Sequence, residues 1–398
     1  MGRAILRQST ARYLTLSRDG CGWRFSGAPR MARGLEKPPE ATAGVPAPRA
    51  NPELIGHESA ERELRRLVEA GRLPHAILLS GPRGIGKATL AFRFARFLLA
   101  NRDHSTATAA AESGLAIDPE SSLFHRVAAG GHADLLTVER VYDLRRRRLR
   151  SEIVVEDARE ITNFFRLTAA EEGWRIVIVD GAEEMNRSAA NALLKILEEP
   201  PRQALLLLVS HSPGRLLPTI RSRCRRFPLV PLPRALLTQL LRRHRPELTQ
   251  AEVEPLAALS DGSIGRALEL AEAGGLVLYR SVLELLSQIP QLDVIRLHAF
   301  ADQIARADAE DAYRVSGELL LRLLARITAA SARRQFGGEE FVGGDNDAMW
   351  RIAALVAPAR WARLREEIER GFASTDQLNL DRKQTMLGVF FAIEELAR

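Results

Sequence analysis

The chain predicts an α/β protein with a doubly wound parallel sheet, continued by a purely helical C-terminal half. Three observations carry this. Apolar runs of strand length alternate with helix-patterned stretches as far as Ser210. A glycine-rich turn, Gly81-Pro82-Arg83-Gly84-Ile85-Gly86-Lys87, joins the first such run to a helix. After Pro228–Pro233 the strand signal stops and helical patterning takes over.

At 398 residues the chain predicts two or three domains. A content of 46% hydrophobic and 27% charged residues is that of a globular protein. No apolar stretch approaches the roughly 20 residues needed to span a bilayer. The formal charge of +7 favours an anionic partner such as nucleic acid. Only four of the 57 basic residues are Lys, however, so the Arg bias is equally explained by genomic base composition. Two cysteines, Cys21 and Cys224, point to a reducing compartment and exclude a four-cysteine zinc site. The histidines form no ligand pair at helical spacing and are expected to be surface or packing residues.

Residues 1–50 are expected to be a disordered tail, either a transit-like leader or the product of a start placed upstream of Met31. Structure is expected to begin near Asn51, with Asn51-Pro52-Glu53 as a helix or turn entry and Leu64, Leu67 and Val68 as a helical stripe. Ala76–Leu79 is the first strand, and Leu90–Leu99 continues the helix after the turn. Residues 101–133 are expected to be an irregular insertion, and Leu135–Val138 a short strand. The run Arg145-Arg146-Arg147-Arg148-Leu149-Arg150 is a solvated loop or a phosphate-backbone contact. Val154–Leu167 has a helical pattern. Ile176–Asp180 is then a buried strand ending in an acid, as a parallel strand does at its ligand end. Asn186 can cap a helix that Pro200-Pro201 stops, and Leu205–Ser210 is another buried strand. Short helices with a turn at Asp261-Gly262-Ser263 fill 231–275. Residues 276–398 are helical, with breaks at Gly337-Gly338 and Gly343-Gly344.

The turn after the first strand has the chemistry of a phosphate-binding loop. Gly81, Gly84 and Gly86 let backbone N–H groups curl around a phosphate, the helix start adds partial positive charge, and Lys87 reaches the outer phosphates. The next residue should carry a hydroxyl for Mg²⁺, and here it is Ala88. Thr89 is a poor substitute, because one helical step turns a side chain by about 100°.

A phosphate loop, then an apolar strand ending in Asp, then a strand ending in a polar residue, resembles an AAA+ ATPase. Two further motifs narrow the resemblance. Asn186–Pro201, containing Leu193-Leu194-Lys195-Ile196-Leu197-Glu198-Glu199-Pro200-Pro201, is similar to the signature helix of bacterial clamp-loader subunits, and Ser222-Arg223-Cys224 resembles their Ser-Arg-Cys motif. Asn379-Leu380-Asp381-Arg382-Lys383-Gln384 resembles the last helix of the delta-prime class of these DNA polymerase III subunits. The resemblance covers about residues 51–398. It implies an AAA+ domain over 51–230, a helical lid over 231–275 and a collar domain over 276–398.

Within that family three departures imply a subunit without ATPase activity. Ala88 replaces the hydroxyl, Gly181 stands where a Glu should follow Asp180, and Gly265 stands where motor subunits carry a sensing Arg. Arg266 is one step off, and Glu183 and Glu184 are shifted by two or three residues. Asp180 is then vestigial, and ATP or ADP binding to the loop is doubtful and not required. Relatives often carry a zinc module after the loop helix, but no cysteine is present here to form one. The resemblance gives Arg223 the role of an arginine finger reaching a neighbouring subunit's ATP. It implies gamma/tau and delta subunits as partners in a hetero-pentamer, a sliding clamp and primed DNA as objects of the work, and a cytoplasmic, nucleoid-associated location. The alternatives are an active clamp-loader motor subunit, or a DNA-binding regulator on the same scaffold.

Overall fold

The computed structural model describes residues 45–101, 114–143, 148–167, 169–171, 173–306, 309–333 and 346–398. Strands β1 (Ala76–Ser80) and β2 (Leu135–Val138) are followed by a hairpin, β3 (Tyr142–Asp143) and β4 (Arg148–Leu149). Then come β5 (Arg175–Asp180), β6 (Ala204–Ser210) and β7 (Arg225–Pro228). The sheet has the order β2-β5-β6-β1-β7 and is parallel throughout.

The central strands read as continuous apolar runs because both of their faces are covered. Ile77 and Leu79 of β1, with Ile176, Ile178, Leu205 and Leu207, pack against α1 (Glu58–Glu69), α2 (Lys87–Ala100) and α3 (Ser122–Ala128). Leu78, Val177, Val179, Leu206 and Leu208 point the other way, onto α4 (Val155–Arg166), α5 (Arg187–Glu198) and α6 (Pro218–Arg221). The fold is the doubly wound α/β sheet that the alternation predicts. In register, Ser80 lies beside Ser210, and Asp180 beside Val209. The carboxyl ends of β5, β6 and β1 therefore open onto one place, where ligands bind in such sheets.

Four local features differ from expectation. Residues 51–53 are extended and α1 starts only at Glu58, with His57 as its N-cap. Contacts to the core also begin before Asn51. Pro48–Ala50 forms a 3-10 turn, and the buried Arg96 of α2 donates to the carbonyls of Arg49 and Asn51, both at 2.7 Å. Helix α3 lies within the stretch expected to be irregular, and Ser121 caps it through a bond from the Phe124 amide. Strand β7 is an edge strand with only Phe227 buried, so Arg225-Arg226-Phe227-Pro228 carries no apolar signal.

The C-terminal half is helical: α7 (Arg234–His244), α8 (Gln250–Leu259), α9 (Ile264–Glu272), α10 (Gly275–Ser287), α11 (Val294–Ile304), α12 (Glu310–Ala332), α13 (Asn346–Leu355), α14 (Pro358–Leu378) and α15 (Arg382–Ala397). One apolar core runs through it, from Leu232 through Leu256, Leu286 and Leu323 to Phe390 and Ile393. Arg322 of α12 donates to the carbonyls of Ala258 and Leu259 and pairs with Asp261. This places a cation at the C-terminus of α8, the negative end of its dipole. The Asn379–Gln384 motif is a structural joint. Asn379 takes the left-handed conformation (φ 54°) that ends α14, and Asp381 caps α15. Arg382 and Lys383 tie α15 to Glu310 of α12 and Asp302 of α11. The expected glycine breaks at 337–338 and 343–344 lie outside the described residues. Among the described residues no helix is long and apolar enough to cross a membrane.

Candidate phosphate-loop site

The loop between β1 and α2 has the backbone its glycines permit. Gly81, Gly84 and Gly86 all have positive φ (150°, 74° and 104°), which L side chains rarely adopt. Lys87 opens α2, is buried, and donates from Nζ to the Pro82 carbonyl within its own loop. Burial lowers its pKa to about 8, with Asp180 and Glu183 opposing the shift and Arg83 adding to it. Asp180, at the end of β5, is pushed up to about 6 by burial and by Glu139, while Lys87 pulls it down. His57 braces the loop from behind: its Nε2–H donates to the Ile85 carbonyl at 2.7 Å. No spacing in the sequence sets His57 apart from the other histidines, and only the fold brings it beneath the loop.

The loop glycines and Lys87 fit an anionic phosphate, whereas the side chains at positions 88 and 181 offer nothing to a metal ion or a water. Ala88 offers no oxygen ligand. Gly181 has φ 75°, and a Cβ there would lie 2.6 Å from Oε2 of Glu184. The Glu184 carboxylate thus covers the place where a following Glu would start, and Arg140 Nε holds it at 2.7 Å. Burial raises the pKa of Glu184, with Arg140 opposing. Glu183 is committed elsewhere, accepting from the amides of His211 (2.7 Å) and Ser212 (3.1 Å). Burial opposes its ionisation, yet hydrogen bonds from its own amide, the His211 amide and the Ser210 side chain keep its pKa below the ordinary value. Burial and nearby Lys87 depress His211 to about 4, so its ring is neutral at physiological pH.

The start of α9 sits directly on the loop. Ser263 Oγ, which also caps α9, donates to the Arg83 carbonyl at 2.8 Å, and the Gly265 amide donates to the Gly84 carbonyl at 2.9 Å. A Cβ on Gly265 would come within 2.9 Å of the Gly84 Cα. The position to which the resemblance assigns a sensing Arg therefore has no room for a side chain. Arg266 turns away, toward Glu318 of α12 at 3.8 Å.

Arg223 lies at the amino end of the sheet, opposite the ligand edge, between α6 and β7. It is exposed; Nη1 donates to the Thr219 carbonyl (3.1 Å) and Nη2 to Glu198 (2.9 Å) at the end of α5. Its neighbour Cys224 is buried, which pushes the thiol up to about 12, an inert group. Arg145, Arg146 and Arg147 lie outside the described residues, as does the side chain of Arg148.

Residues 56–233 match the family described as DNA polymerase III, delta subunit. Those residues belong to that family. Over 190 residues the chain is 41% identical to the DNA polymerase III subunit delta' of Pseudomonas aeruginosa, covering 48% of this chain and 53% of that one. It is 34% identical to the Escherichia coli subunit delta' over 204 residues, 51% and 56% of the two chains. It is 30% identical to the Mycobacterium bovis subunit gamma/tau over 266 residues, 65% and 43%. The chain thus spans about half the length of these curated relatives. A gamma subunit-related protein of Thermotoga maritima superposes with a TM-score of 0.36 at 19% identity, over 85% of this chain and 99% of that one.

Proposed function

We propose that the chain is an ATPase-defective clamp-loader subunit of the delta-prime type. It assembles with gamma/tau and delta subunits in a hetero-pentamer in the cytoplasm and helps load a sliding clamp onto primed DNA. It contributes Arg223 to a neighbour's ATP and hydrolyses none itself; ATP or ADP is not required in its own loop. One observation carries this reading: Gly265 of the lid rests on Gly84 of the loop with no space for a side chain. Ala88 and the Glu184 carboxylate over Gly181 support it at two other parts of the same mechanism. Arg223, in contrast, is exposed at the surface, where a planar fork of donors can meet a neighbour's phosphates.

The purified chain is expected to show no ATP turnover above background. Turnover abolished by Lys87→Met would sink the reading in favour of a motor subunit. In the assembled complex, Arg223→Ala is expected to lower clamp- and DNA-stimulated ATP hydrolysis while leaving assembly intact. Each finger in a dissected GTPase is worth roughly 10³–10⁵ in rate; the loss here is smaller, because only the site facing this subunit is affected.

A further inference from the structure

The signature helix α5, whose sequence carries the family resemblance, supplies none of the groups at the loop. Its last residue, Glu198, is what meets Arg223. We infer that Glu198 is a positioning residue for Arg223: it fixes the presentation of the guanidinium toward the neighbouring subunit. The inference rests on the trans role proposed above.

Three features of the structure support it. First, the guanidinium is held at two points from two elements. Nη2 meets Oε1 of Glu198 at 2.9 Å, and Nη1 meets the Thr219 carbonyl of α6 at 3.1 Å. Two bonds on different nitrogens fix both the position of a planar group and the direction of its plane. Second, an arginine has five N–H donors. These two bonds use one on each Nη, leaving three to receive phosphate oxygens. Third, Glu198 is anchored. Helix α5 is seated in the sheet core through Leu193, Ile196 and Leu197, and it ends against Pro200-Pro201, so the carboxylate sits at a fixed stop. Ile220 of α6 is buried in the same core, and it sets the height of the Thr219 carbonyl.

The physical benefit is entropic. A free arginine side chain loses rotamer entropy when it engages a phosphate. Glu198 and the Thr219 carbonyl take part of that loss in advance. An exposed ion pair is a weak fold-stabilising device, with both side chains more than a third exposed here. Stability alone gives little reason for the pairing, whereas presentation of Arg223 does.

The test is a double-mutant cycle in the reconstituted complex, with stimulated ATP hydrolysis as the readout. Glu198→Ala is expected to lower kcat about two- to fivefold, the scale of an exposed ion pair, with KM for ATP unchanged. Glu198→Asp, which keeps the charge on a shorter arm, should restore part of the loss. In an Arg223→Ala background, Glu198→Ala should have no further effect. Size-exclusion chromatography of each complex confirms equal assembly. Should Arg223→Ala lower the rate while Glu198→Ala leaves it unchanged or raises it, the positioning role is wrong and the finger reading survives. An equal loss from Glu198→Ala with and without Arg223 also refutes positioning, because Glu198 then acts on something else. No effect of Arg223→Ala itself removes the finger reading, and the positioning role with it.

Discussion

At the residue scale, the loop site is a set of charged groups withdrawn from water and turned on one another. Lys87 bonds its own loop, Glu184 pairs with Arg140, and Glu183 caps two backbone amides. Asp180 is left with the least favourable position: burial and the carboxylate of Glu139 outweigh the attraction of Lys87. Its pKa of about 6 in the folded chain lies above the ordinary 3.8. The sign follows from proton linkage. The folded state holds the proton more tightly, so the ionised carboxylate is no burden below about pH 4; it destabilises increasingly up to pH 6 and fully above that. Asp180→Asn should therefore stabilise the chain by roughly 1–3 kcal/mol at pH 7.5 and by almost nothing at pH 4. Thermal melts at the two pH values check this. Equal melting temperatures for variant and parent at pH 7.5 would count against a buried, uncompensated Asp180.

At the element scale, the contact between α9 and the loop makes two glycines behave oppositely. In an open helix, Gly→Ala gains roughly 1 kcal/mol from helix propensity. Gly371, within α14, has nothing within 4 Å of its added Cβ and should gain about that much on Gly371→Ala. At Gly265 the same methyl meets backbone at 2.9 Å, so α9 must lift off the loop, and the melting temperature should fall. A rise for both variants would show that the α9–loop contact is soft. This contact also marks the limit of what the sequence discloses. The alternation of apolar runs disclosed β1, β2, β5 and β6 because strands covered on both faces are apolar at every position. It was silent on β7, whose exposed edge carries Arg225 and Arg226, and on α3, where a single turn or two of helix leaves too few residues to show a period. Ala88, Gly181 and Gly265 were legible as departures from a motif. What Gly181 and Gly265 touch was not, because Glu184 nears Gly181 only through a turn and Gly84 nears Gly265 only across the fold. Arg96 and Arg93 look like surface cations in the sequence. They are buried because the carbonyls of Arg49, Asn51 and Pro52, and for Arg93 also the Glu61 carboxylate, supply their partners.

At the scale of the whole molecule, the carboxyl end of the sheet, where the loop sits, is a closed side, and the opposite, amino end, where Arg223 precedes β7, is an exposed one. On the closed side α9 rests on the loop, and Arg322 of α12 holds the end of α8, so loop and C-terminal helices meet across the same short segment, Asp261–Gly265. On the exposed side, Arg223 stands on the surface, held among the described residues by an ion pair and one carbonyl. The asymmetry predicts opposite outcomes for the two residues that look most catalytic in the sequence. Lys87→Met keeps the length of a buried chain and removes its charge. If this chain's own loop does no hydrolysis, a complex carrying it should turn over ATP at the unmodified rate, whatever the variant does to nucleotide retention. Arg223→Ala removes an exposed side chain whose ion pair is worth about 0–1 kcal/mol, so the chain should melt within about 1 kcal/mol of the parent. The same variant should nevertheless lower stimulated hydrolysis by the complex, and Arg223→Lys should recover little, since an ammonium lacks the planar fork. Measuring both variants in one preparation of complex makes the comparison internal. If Lys87→Met is the damaging change and Arg223→Ala the silent one, the division between closed loop and outward arginine is reversed, and the chain is a motor rather than a partner to one.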